Sequence, residues 1–169
     1  EIELTFRAGY VLVDAADEWR AEWYLEAADL ALARSRSSRN ALLVAYDSEM
    51  RVETEQRIVA ERQLRRALAD GRIEPWFQPV LRLSDGVCRG AEALARLRRE
   101  DGTVALPAEF IPLAEEIGLI RELGAEILES ACRRTAEISA TVGEPMYVAV
   151  NVAVDQLQPG GAGGPFPTA

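Results

Sequence analysis

Between residues 73 and 97 the chain runs IEPWFQPVLRLSDGVCRGAEALARL, two strand-like runs separated by Ser84-Asp85-Gly86. An Asp-Gly pair between alternating runs is a hairpin signal, so the two strands are expected to lie antiparallel and adjacent. Glu92, Leu94 and Arg96 are spaced two apart on the second strand and therefore share one face. A carboxylate, an apolar surface and a guanidinium aimed the same way suit, in order, a cation, a flat base and a phosphate. That combination points to a phosphodiester ligand.

Composition limits the chemistry further. There is no histidine, which removes Ser-His and Cys-His nucleophile pairs and histidine metal ligands. Catalysis is left to carboxylates, amides, lysine or arginine, or a metal. The 28 acidic residues against 19 basic ones give a net charge of −9, which argues against binding long nucleic acids by phosphate neutralisation. A small anionic ligand held by a few placed bases remains compatible. The two cysteines, Cys88 and Cys132, are far apart and form no CxxC, so no disulfide framework or thiolate zinc site is expected. No apolar run reaches membrane-spanning length and no leader opens the chain; a cytoplasmic setting is expected, with any membrane anchor outside these residues.

The flanking segments read as alternating strands and helices. Ile2, Leu4, Phe6 and Ala8 alternate with polar residues as a strand with one buried face, continued by Tyr10 to Val13. Residues 17–36 form an amphipathic pattern, with Trp19, Trp23, Ala27, Leu30 and Ala31 on one stripe. ALLVAY (41–46) predicts a second strand. Residues 48–70 predict a charged helix with Glu53/Arg57 and Glu61/Arg65 in the favourable i,i+4 order and a thin stripe of Ile58, Leu64 and Leu68. It reads equally as a connector between domains and as a helix with a charged outer face.

Beyond the hairpin, Pro107 starts a short helix that Gly118 ends, and about 121–141 form a longer one. Phe110, Leu113, Ala114 and Ile117 make a core stripe, leaving Glu115 and Glu116 to solvent or a basic neighbour. YVAVNV (147–152) predicts a buried strand. QPGGAGGPFPTA (158–169), with four Gly and three Pro, reads as a linker or tail. The fold class is α/β, with a sheet or barrel only partly present.

These blocks carry a resemblance. RRALADGRIEPWFQPV, GAEALARLR, PAEFIPLAEEIGLIRELG, ACRR and VAVNVAVDQL follow one another as in the N-terminal part of EAL domains, the cyclic di-GMP phosphodiesterases. The tripeptide Glu92-Ala93-Leu94 carries little alone; its order and spacing with the other blocks carry the match. Upstream, LTFRAGYVLV, EAADLALARSRSSRN and ALLVAYD are similar to the last third of a GGDEF domain, the diguanylate cyclase fold. The resemblance implies the end of a GGDEF-like domain (1–47), a helical connector (48–66), the beginning of an EAL-type (β/α)8 barrel (67–157) and the Gly/Pro-rich tail.

It also implies roles. Glu92 and Asn151 would be ligands of Mg2+ or Mn2+, Gln78 and Arg96 would contact cyclic di-GMP, Arg96 at phosphate, and Leu94 would pack on a guanine. The reaction would open the cyclic dinucleotide to linear pGpG. Residue-level alternatives stand beside these: Glu92 as a carboxylate paired with Arg96, Asn151 as a strand-end cap, Gln78 as an edge-strand residue and Leu94 as core.

Departures from the family pattern bear on activity. In the GGDEF-like part Arg7 precedes Ala8-Gly9 where Ser-x-Gly is usual, Ala33 replaces a tyrosine, Arg36 replaces a lysine, and a glycine before Arg39-Asn40 is missing. These changes favour a degenerate, regulatory domain. In the EAL-like part Leu97 stands for a tryptophan and Ala153 for a serine. Roughly 100 residues from Ala67 onward are too few for a closed barrel, which takes about 250. After Asn151 only Asp155 is acidic, so the family's further acidic ligands are not in this chain. A catalytically inactive cyclic di-GMP receptor and an inactive remnant are therefore expected alternatives, with a homodimer through the EAL part or the helix left open.

Overall fold

The computed structural model describes residues 6–13, 20–38 and 40–156. They belong to two compact units, 1–60 and 61–169. The expected strand positions Ile2 and Leu4, Trp19 of the helical stripe, Arg39, the Asp155 side chain and the Gly/Pro-rich segment lie outside the described residues.

In the first unit β1 (Ala8–Tyr10) pairs in parallel with β2 (Leu43–Ala45), and α1 (Ala21–Ser37) connects them. Ala27 and Ala31 are fully buried, as the stripe predicts. Gly9 is required by the close approach of strand to helix, because a Cβ there would lie 2.1 Å from the Leu32 backbone nitrogen. Arg7 lies against the end of α1. Its Nη1 donates to the Ser38 carbonyl at 2.7 Å and also to that of Ser35. The buried Ser35 hydroxyl lies 3.0 Å and 2.9 Å from the carbonyls of Ala41 and Leu42.

The described strands are shorter and more open than the alternation predicts. Phe6 is 79% exposed, and Leu12, Leu42 and Leu43 are exposed too. Alternation specifies a shared face, but α1 is the main described element packed on this two-stranded sheet, and much of that face stays open.

Helix α2 (Ser48–Ala69) opens on Asp47, whose carboxylate accepts from the Glu49 amide at 3.0 Å as an N-cap. It ends at Gly71, φ 65°, where Arg72 N donates to the Ala67 carbonyl at 2.8 Å. Glu61 and Arg65 form the expected i,i+4 pair at 2.9 Å. Glu53 pairs with Arg34 of α1. The thin stripe is only half buried: Leu64 is buried, whereas Ile58 is 44% exposed.

The second unit is built on β3 (Ile73–Leu81) and β4 (Cys88–Arg98), the expected antiparallel hairpin, with Gly86 at φ 70° in the turn. On the other edge of β4, two short strands pair at different heights. β5 (Val104–Ala105) is antiparallel to Leu97–Arg98, and β6 (Tyr147–Val150) is parallel to residues 90–93. Between them come α3 (Pro107–Glu116) and α4 (Ile120–Val142). Glu109 accepts from the Leu106 amide at 2.7 Å to open α3, and Gly143, φ 76°, closes α4.

The sheet has two unlike faces. Ala93 is buried, and Ala95, Leu97 and Val150 pack with Ile73, Phe110, Ala114, Ile120, Leu123 and Ile127 in the core beneath α3 and α4. The Phe110/Leu113/Ala114/Ile117 stripe enters this core as predicted. Strand β5 has no counterpart in the sequence reading. Strand β6 is half exposed rather than buried, because among the described strands it pairs only with β4 and Tyr147 and Ala149 face outward.

Candidate ligand-binding site

The face of β4 turned away from the core carries the candidate residues. Glu92, Leu94 and Arg96 alternate with the core-facing Ala93, Ala95 and Leu97. Across the hairpin Gln78 is the partner of Glu92, Trp76 of Leu94 and Glu74 of Arg96. Directly opposed residues of an antiparallel pair share a face, so β3 contributes Glu74, Trp76 and Gln78 to the same surface.

Strand β6 ends at the height of Ala93. Asn151 follows it immediately and turns to β4, where its Nδ2 donates to Glu92 Oε1 over 2.8 Å. Two residues 59 positions apart in sequence thus meet at one point of the sheet. The segment after Asn151 is held by Gln156, whose Oε1 accepts from the Ala153 amide at 2.7 Å. Gly124 of α4 makes room for that side chain, since a Cβ at 124 would lie 1.6 Å from Gln156 Nε2. Neither Gly124 nor Gln156 stands out in the sequence; a glycine inside an otherwise helical pattern was the available signal.

Arg96 does not pair with Glu92. Four residues along a strand span about 13 Å, and the guanidinium lies over the Trp76 ring, 5.6 Å from its centroid. Its Nη1 donates to the Ala95 carbonyl at 2.8 Å. The Trp76 indole N–H donates to Glu74 Oε1 at 3.1 Å, and Arg98 Nη2 donates to the same oxygen at 2.5 Å. The indole hydrogen bond, with help from Arg98, holds the Glu74 carboxyl below its usual range despite some desolvation. Trp76 was missed in the sequence reading, although it lies two residues before Gln78 and so shares its face.

Glu92 and Asn151 offer a carboxylate and an amide oxygen side by side. Both are the hard donors that Mg2+ and Mn2+ prefer. Among the described residues no group of three or more acidic, cysteine or histidine side chains could hold a metal. The pair alone offers two side chains toward the roughly six oxygens that such a cation takes.

The match of residues 61–163 to the EAL domain model decides the family. This chain belongs to the EAL domain family. Two curated relatives carry the same relationship. The probable cyclic di-GMP phosphodiesterase PdeG of Escherichia coli is 36% identical over 57% of this chain and 19% of its own length. The cyclic di-GMP phosphodiesterase NbdA of Pseudomonas aeruginosa is 33% identical over 83% of this chain and 18% of its own. The chain thus spans less than a fifth of either. Among solved structures, the Xanthomonas citri FimX EAL domain in complex with c-diGMP superimposes with a TM-score of 0.56 at 28% identity, covering 64% of this chain and 42% of that one. Within the EAL domain, Glu92, Ala93 and Leu94 are the tripeptide that gives the family its name, and the structure sets them at the centre of the long strand β4.

Proposed function

We propose that this chain supplies part of the ligand-binding sheet of a cyclic di-GMP phosphodiesterase. The observation that carries the reading is the Glu92–Asn151 contact at 2.8 Å on the face that also bears Gln78, Leu94 and Arg96. That face offers oxygen donors, an apolar surface and a guanidinium in a row along one strand. The names of the relatives and the FimX complex support the ligand class.

In this reading Glu92 and Asn151 hold Mg2+ or Mn2+, Arg96 binds a phosphate, Leu94 packs on a guanine and Gln78 hydrogen-bonds the ligand. The cation, when bound, withdraws charge from the phosphodiester and favours ionisation of a water. Asn151 orients the Glu92 carboxylate through its amide N–H and keeps its own oxygen for the cation. Hydrolysis forms one new P–O bond from water and breaks the P–O3′ bond, the proton passing to the leaving oxygen; the product is linear pGpG. The first unit acts as a degenerate GGDEF-like domain, in which Arg7 binds the end of α1 in place of the usual serine, and α2 links it to the EAL part.

A second reading is a receptor that binds cyclic di-GMP without turnover, in which the 2.8 Å hydrogen bond engages Glu92 with Asn151 rather than with a cation. Replacing Glu92 by Ala in the intact gene product separates the two. The enzyme reading expects turnover to pGpG in the parent protein and its loss in Glu92→Ala, with an unchanged circular dichroism spectrum. Turnover that survives the substitution sinks the ligand assignment. Tight binding without turnover in the parent protein establishes the receptor.

A further inference from the structure

Trp76 is a large side chain, 45% exposed, on the same face as the candidate ligand residues. It is opposite Leu94, beyond the stretch of β4 covered by β6. Two contacts fix its orientation: its indole N–H is bound to Glu74, and the Arg96 guanidinium covers its ring at 5.6 Å. Glu74 is held in turn by Arg98. A guanidinium over an indole face is attracted by the ring quadrupole and loses rotamer freedom, yet keeps N–H groups directed away from the ring. Nη1 of Arg96 is engaged by the Ala95 carbonyl, which leaves Nη2 and Nε for an anion.

We propose that Trp76 is a positioning residue of this site, its ring presenting the Arg96 guanidinium to a ligand phosphate and its N–H anchored by Glu74. The inference rests on the proposed cyclic di-GMP reading and assigns to the Glu74–Trp76–Arg96 chain the task of preorganising the phosphate contact. Preorganisation lowers the ordering cost that a flexible arginine adds to binding.

The test is a double-mutant cycle in the intact gene product, with cyclic di-GMP binding measured by calorimetry. Trp76→Leu is expected to weaken binding about three- to tenfold, the range that loss of a partly desolvated cation–π contact gives. Trp76→Phe, which keeps a ring under Arg96 but loses the N–H anchor to Glu74, should fall between the parent and Trp76→Leu. Trp76→Leu added to Arg96→Ala should cost no more than about twofold beyond Arg96→Ala alone, because the ring then has nothing to position. Full additivity, or a Trp76→Leu protein that binds like the parent, overturns the inference while leaving the ligand reading in place. A parent protein that does not bind cyclic di-GMP overturns both.

Discussion

At the scale of single residues, Glu74 shows how register exposes what a motif hides. Sequence spacing singles out Glu92, Leu94 and Arg96, and the structure does gather Glu92 with Asn151. Spacing within β4 is silent about β3, whose contribution depends on which residue of one strand faces which of the other. Trp76 and Glu74 became visible only with that register. Glu74 also carries a pH signature. Its carboxyl is held low mainly by the Trp76 N–H, so the interaction is complete at neutral pH and is lost as pH falls through the depressed value. In a variant with Trp19→Phe and Trp23→Phe, the Trp76 emission should change on acidification with a midpoint below the ordinary carboxylate range. Adding Glu74→Gln should remove that change. A midpoint at or above the ordinary range would contradict the geometry.

At the scale of elements, local chemistry was readable and partner-dependent burial was not. The 84–86 turn, Pro107 and Gly118 each act through backbone geometry, and all mark real boundaries. Strand β5 has only two residues, too short for a period to register. β6 reads as buried because it is apolar, but burial depends on what covers it, and Tyr147 is exposed. Phe6 fails for the same reason. Gly9 shows the converse, a constraint that only packing reveals. Its missing Cβ leaves room for the backbone of α1, with Leu32 N at 2.1 Å and Ala28 O at 2.4 Å from where it would be. Because both obstacles are backbone, Gly9→Ala forces strand and helix apart. A loss of about 1–3 kcal/mol or more is expected in the stability of the first unit, read by urea unfolding. An unchanged midpoint would show that α1 does not lie so close.

At the scale of the molecule, the described part of the second unit is an open sheet with helices on one side and the candidate site on the other. Its helix-covered face is apolar, while its opposite face presents Trp76, Gln78, Glu92, Leu94 and Arg96. No helix among the described residues is long and apolar enough to cross a membrane. With a net charge of −9, an anionic ligand would need locally presented arginine, and in the proposed reading Arg96 supplies it. Family membership was legible from the order of five sequence blocks. The pairing of Glu92 with Asn151 was implied only by family likeness, because no local rule links positions so distant in the chain. The most direct measurement is to incubate the intact gene product with cyclic di-GMP and Mg2+ and to follow the nucleotide by chromatography, with and without a chelator. The account predicts conversion to linear pGpG that stops when the cation is removed. Cyclic di-GMP recovered unchanged in the presence of Mg2+ or Mn2+ would contradict it.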